Sequence, residues 1–126
     1  MKVTLCYPSL LPGNKAKYGL QPLGVLYIAA VLRQHGVDVQ VLDADIEGLT
    51  VDEMVQRILA FNPDLVGFSM MSPQLIPALQ TSVRLKEARP NLKNVSGGPH
   101  VDSTLEDVFS MTDCFDFAVY GEGEYA

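Results

Sequence analysis

The chain has 126 residues, of which 48% are apolar, and a formal net charge of −6. That length and apolar share suit one domain with a real core, and the acidity argues against nucleic acid, whose phosphates an acidic surface repels. No apolar run is long enough to cross a bilayer, and the N-terminus lacks a signal-peptide layout, so a cytoplasmic domain without a membrane partner is expected.

Residues 2–7 read as a first strand. A loop with Pro8, Pro12 and Gly13 follows, and Pro22 opens a helix that runs to about His35 and stops at Gly36. Leu23, Leu26, Tyr27 and Ala30 share one face of it, and Val25, Ile28, Ala29 and Leu32 make it apolar nearly all round. Heavy burial is therefore predicted. Residues 37–42 read as strand two, followed by a solvated turn at Asp43-Ala44-Asp45. Thr50-Val51-Asp52-Glu53 has the form of a capping box, so a helix starts there, with Val51, Met54, Val55 and Ile58 as its apolar stripe and Asn62-Pro63 as its end. Residues 64–69 form strand three. Ser72-Pro73 offers an N-cap and a first-position proline for a helix to about Ala88, stopped by Pro90. Residues 93–96 are strand four. Ser103-Thr104-Leu105-Glu106 repeats the capping-box pattern for a helix to about Ser110, and residues 115–120 are strand five.

Strands alternating with helices imply a parallel sheet covered on both faces. The expected architecture is a flavodoxin-like (Rossmann-like) three-layer doubly wound sandwich with strand order 2-1-3-4-5. After strand five the sequence gives only Gly121-Glu122-Gly123-Glu124-Tyr125-Ala126, so the final helix is truncated. The chain thus reads as one domain, 1–126, excised from the N-terminus of a longer protein. Part of the sheet face beside helix one would be under-covered, and a homodimer of the fragment would hide it.

In such a sheet, ligands bind beyond the carboxyl ends of the strands. Gly97-Gly98 lies there and removes two Cβ atoms, either for a tight turn or to let a ligand press against backbone. Among the loops at this edge there is no acid/base pair, no nucleophile with a partner and no metal cluster. G-x-G-x-x-G does not follow strand one, a phosphate-binding P-loop is absent, and strand three ends on Ser69 where a phospho-acceptor domain carries aspartate. Cys6 and Cys114 lack C-x-x-C spacing and read as free thiols. His35 sits at a helix end, solvated. His100, beside the glycine pair, reads more readily as a structural hydrogen-bonding group than as a metal ligand.

Four segments resemble, in order, the cobalamin-binding domains of radical S-adenosylmethionine enzymes. They are residues 21–29, residues 61–69, Gly97-Gly98-Pro99-His100 and Tyr120-Gly121-Glu122-Gly123-Glu124. The resemblance implies a corrin ring over the carboxyl edge, with its nucleotide tail threaded between strands. Ser69-Met70-Met71 takes the family's S-x-L place, with 25 residues between Met71 and Gly97. Ser69 would bond the tail base, Met70 and Met71 would wall the ligand, and Gly97 and Gly98 would let it approach closely. Pro8, Ser9, Leu23, Gly24, Pro99, His100, Gly121, Glu122 and Gly123 complete the implied cofactor-binding set. The family's D-x-H-x-x-G is missing after strand one, so the resemblance implies cobalamin held without histidine ligation. It also implies a radical domain, outside these residues, with a 4Fe-4S cluster and S-adenosylmethionine. The whole enzyme would carry out methyl transfer or radical rearrangement, and the fragment alone would be inactive. The alternative is a degenerate domain that binds no cofactor and serves as a scaffold or dimerisation module.

Overall fold

The apolar run at residues 2–7 becomes an inner strand of a five-stranded parallel sheet in a computed structural model that describes residues 1–9, 13, 22–98 and 114–119. Strand β1 (Lys2–Tyr7) pairs with β2 (Asp38–Asp43) on one side and with β3 (Leu65–Ser69) on the other. Strands β4 (Lys93–Gly97) and β5 (Phe117–Ala118) extend the sheet, giving the predicted order 2-1-3-4-5. The helices are α1 (Leu23–Gln34), the single turn α2 (Ala44–Glu47), α3 (Val51–Phe61) and α4 (Leu75–Ala88). No helix among the described residues is long and apolar enough to cross a membrane.

The two-residue period of the strands splits the core across the sheet. Val3 and Leu5 of β1 join Val25 and Ala29 of α1 on one face. Cys6 of β1 and Val66 and Phe68 of β3 join Met54 and Ile58 of α3 and Ala78 and Leu85 of α4 on the other. Phe68 meets Phe115 edge to face with ring centroids 5.6 Å apart, which ties the segment before β5 into that second core. Helix α3 begins as its sequence requires. The Thr50 hydroxyl accepts from the Glu53 amide at 3.1 Å, and the Glu53 carboxylate accepts from the Thr50 amide at 3.2 Å. It ends at Asn62, whose φ of 57° is the left-handed turn that closes a helix.

Several local expectations give way. Helix α1 buries only Val25 and Ala29, while Leu23, Leu26 and Tyr27 are 57%, 40% and 63% exposed. An all-round apolar surface cannot be buried by a sheet that touches one stripe of the helix. The solvated turn expected at residues 43–45 is helical instead: the Asp43 carboxylate accepts from the Ile46 amide at 3.2 Å and starts α2. Ser72-Pro73 does not open α4 directly. Ser72–Gln74 forms a 3-10 turn, α4 starts at Leu75, and Pro77 falls in its first turn, where a missing N–H costs nothing. Strand β5 has two residues rather than the six expected at 115–120. The helix expected at 103–110 lies outside the described residues, as does Tyr120.

Candidate functional site at the carboxyl edge of the sheet

Strand order 2-1-3-4-5 reverses direction between β1 and β3, so the crevice beyond the carboxyl ends of these two strands is the topological switch point. Pro8 and Ser9 form its β1 lip, both buried. Ser69, Met70 and Met71 form the β3 lip, and Gly97 pairs in register with Ser69 to widen it towards β4.

The two glycines divide their work. Gly98 has φ +94°, and a Cβ there would lie 2.8 Å from the Met70 nitrogen and 3.0 Å from both the Met70 oxygen and the Ser69 Oγ. The space freed at Gly98 is therefore filled by the chain's own turn after β3. Gly97 keeps ordinary room, its nearest neighbour being the Val119 oxygen at 3.7 Å, and its carbonyl accepts from the Met70 amide at 3.0 Å. Close approach from outside is left to Gly97.

The β3 lip sorts its side chains by direction. Met70 is wholly buried in the core cluster with Cys6, Phe68 and Phe115, so it packs inside the domain and not in the ligand wall that the sequence suggested. Met71 is 37% exposed and presents apolar surface at the edge. Ser69 is half-buried, and among the described residues no hydrogen bond engages its hydroxyl. Leu23 and Gly24 are exposed at the start of α1, with nothing within 4 Å of a Cβ at Gly24. Pro99, His100, Gly121, Glu122 and Gly123 lie outside the described residues. His35 is exposed at the opposite end of α1, its Nδ1 2.9 Å from the Val31 carbonyl. Among the described residues no three His, Cys, Asp or Glu side chains gather to hold a metal ion.

Sequence reading missed Gln74. Its side chain is wholly buried at this edge. Its Nε2 donates to the Pro8 carbonyl at 2.5 Å, and its Oε1 accepts from the Met71 amide at 2.8 Å. The only signal in the sequence is a lone amide beside Leu75-Ile76-Pro77, and its main partner lies 66 residues away.

Burial raises the Tyr7 phenol above its ordinary value, the Asp45 and Asp43 carboxylates add to the rise, and a hydrogen bond from Gln74 opposes it. Burial likewise raises Asp43, with the neighbouring carboxylates Asp45 and Glu47 adding and the hydrogen bond from Ile46 N–H opposing. The arrangement is a partly apolar edge with a serine hydroxyl that no hydrogen bond engages among the described residues. It has no general acid/base pair among the described residues.

Known proteins give this geometry a context. Residues 11–126 match the family described as the B12 binding domain. The chain is 33% identical to an uncharacterized methyltransferase of Pyrococcus horikoshii, over 98% of this chain and 27% of the relative. It is 31% identical to an anaerobic magnesium-protoporphyrin IX monomethyl ester cyclase of Rubrivivax gelatinosus, over 98% of this chain and 23% of the relative. The chain thus spans about a quarter of the length of these relatives. The crystal structure of a methanol:cobalamin methyltransferase complex from Methanosarcina barkeri shares the fold, with a TM-score of 0.68 at 18% identity over 98% of this chain and 42% of that one. The match over residues 11–126, on a sheet of the expected order, shows that the chain belongs to the B12 binding domain family.

Proposed function

We propose that residues 1–126 form the cobalamin-binding domain of a radical S-adenosylmethionine enzyme, and that cobalamin is held at the carboxyl edge without histidine ligation from the loop after β1. The observation that carries this reading is the switch point at the carboxyl edge, where no hydrogen bond among the described residues engages the Ser69 hydroxyl and Gly97 beside it has ordinary room. Family membership supports the ligand class, and the greater length of the relatives supports a further radical domain with a 4Fe-4S cluster and S-adenosylmethionine.

The residues present fit the cofactor. The Ser69 hydroxyl donates to the base of the nucleotide tail, and Gly97 gives the tail backbone to lie against. Met71, Leu23 and Gly24 face the corrin with apolar or open surface, while Pro8 and Ser9 close the β1 side. Pro99, His100, Gly121, Glu122 and Gly123 lie outside the described residues and are proposed as cofactor-binding on the family resemblance alone. When bound, the corrinoid supplies a cobalt centre for methyl transfer or radical rearrangement in the whole enzyme. The domain's own part is to orient the ring, exclude water beneath it and hold the tail.

Titration of the purified chain with hydroxocobalamin tests the reading. The expected result is a shifted visible spectrum and corrinoid retained through desalting. No shift and no retention would overturn it in favour of a cofactor-free scaffold.

A further inference from the structure

Beyond the last rungs of the ladder, nothing in a sheet fixes the distance between two strands. β1 ends at Tyr7 and β3 at Ser69, so the Pro8 carbonyl and the Met71 amide already lie past the paired segments. The Gln74 side chain joins these two groups, accepting from one and donating to the other. An amide inserted between a carbonyl and an N–H acts as a spacer: it holds the lips apart by its own width, where a direct rung would draw them together. A buried amide is costly to leave unbonded. Here both ends are satisfied, so the spacer is fixed in place. The same amide also hydrogen-bonds the hydroxyl of Tyr7, the last residue of β1, so its polar contacts all lie at the two lips.

We infer that Gln74 is a positioning residue that sets the width of the β1–β3 crevice for the nucleotide tail of a corrinoid, an inference that rests on the cofactor reading above. Gln74 lies beneath the lips and acts through them: it places the Pro8 carbonyl on one side and the Met70–Met71 backbone, next to Ser69, on the other. The ring itself, which lies over the edge, depends less on this spacing. Gln74 therefore governs selection for corrinoids with a tail over those without.

The test compares hydroxocobalamin with diaquacobinamide, the same ring lacking the nucleotide tail. Both are titrated against the wild-type chain, Gln74→Met and Gln74→Glu, with thermal melts confirming that each variant folds. Gln74→Met keeps length and volume and removes its hydrogen bonds to Pro8, Met71 and Tyr7; Gln74→Glu keeps an acceptor for the Met71 amide. Wild type is expected to bind cobalamin more tightly than cobinamide. In Gln74→Met, cobalamin affinity is expected to fall roughly tenfold while cobinamide affinity stays unchanged. Gln74→Glu is expected to fall between the two, and it decides the matter by the same ratio should Gln74→Met fail to fold. Equal loss for both corrinoids, or no loss for either, overturns the inference and leaves cofactor binding standing. A wild-type chain that binds neither corrinoid overturns the cofactor reading, and the inference falls with it.

Discussion

The two ends of the sheet are held together by different chemistry. At the amino end the contacts are charged. The Lys2 amide donates to the Asp64 carboxylate at 2.8 Å, and the Lys2 ammonium donates to the Phe61 carbonyl at 3.2 Å. The Arg89 guanidinium donates to the Pro63 carbonyl at 2.9 Å. Asp116 accepts from the Lys86 ammonium at 2.7 Å and from the Asn94 amide at 2.8 Å, which fastens the segment before β5 to α4 and β4. At the carboxyl end the Gln74 amide bridges Pro8 and Met71, and the Gly97 carbonyl accepts from the Met70 amide. The difference teaches where each property resides. Charged staples fix strand positions at the end that has no ligand to admit. Uncharged contacts span the β1 and β3 lips at the other end.

Three substitutions break or sharpen that division. The largest effect is expected from Gly98→Ala, which puts a Cβ on the Met70 backbone at a φ that L-residues avoid. It should cost about 2–4 kcal/mol in urea unfolding, a stability cost arising at the binding end. Asp116→Asn comes next, at about 1–2 kcal/mol at neutral pH, with cobalamin affinity unchanged. Burial alone would raise the Asp116 carboxyl, but the Lys86 hydrogen bond, the Asn94 amide and the charges of Lys86 and Lys93 outweigh it and hold it below the ordinary value. Its contribution is therefore complete above the ordinary carboxylate value and fades as pH falls through the lower folded one. Unfolding measured across the acid range should show wild type and Asp116→Asn converging there. The smallest stability effect is expected from Ser69→Ala, within about 0.5 kcal/mol, yet cobalamin should bind roughly tenfold more weakly. The separation of the two ends fails if Asp116→Asn weakens cobalamin as much as Ser69→Ala does.

The strand order and most element positions were legible because period-two runs and helix punctuation are local. Thr50 and Glu53 announce their capping box within four residues, and the structure builds it. The burial of α1 was not legible. Its apolar residues reveal that it packs somewhere but not which stripe meets the sheet, and Leu23, Leu26 and Tyr27 end up exposed. The site was legible only as a place. Ser69 and Gly97 could be set on adjacent loops from the expected strand order and the family resemblance, and they are register partners. Gly98 reads in sequence like its neighbour, yet its missing Cβ serves the turn at Met70, a contact visible only once β3 and β4 lie side by side. Gln74 carries no motif, and its role arises from a carbonyl 66 residues away.

The inner place of β1 has a consequence for how this domain is made. Its partners are residues 38–43 and 65–68, so β1 is synthesised before both and waits longest for its two neighbours. At roughly 5–20 residues per second, several seconds pass before β3 exists to flank it. During that interval Val3, Leu5 and Cys6 form an apolar segment with unfilled edges. Parallel pairing over such separations is also slow to close. The nascent chain is thus most prone to aggregate early in synthesis, and slowing translation after residue 43 would lengthen the vulnerable interval.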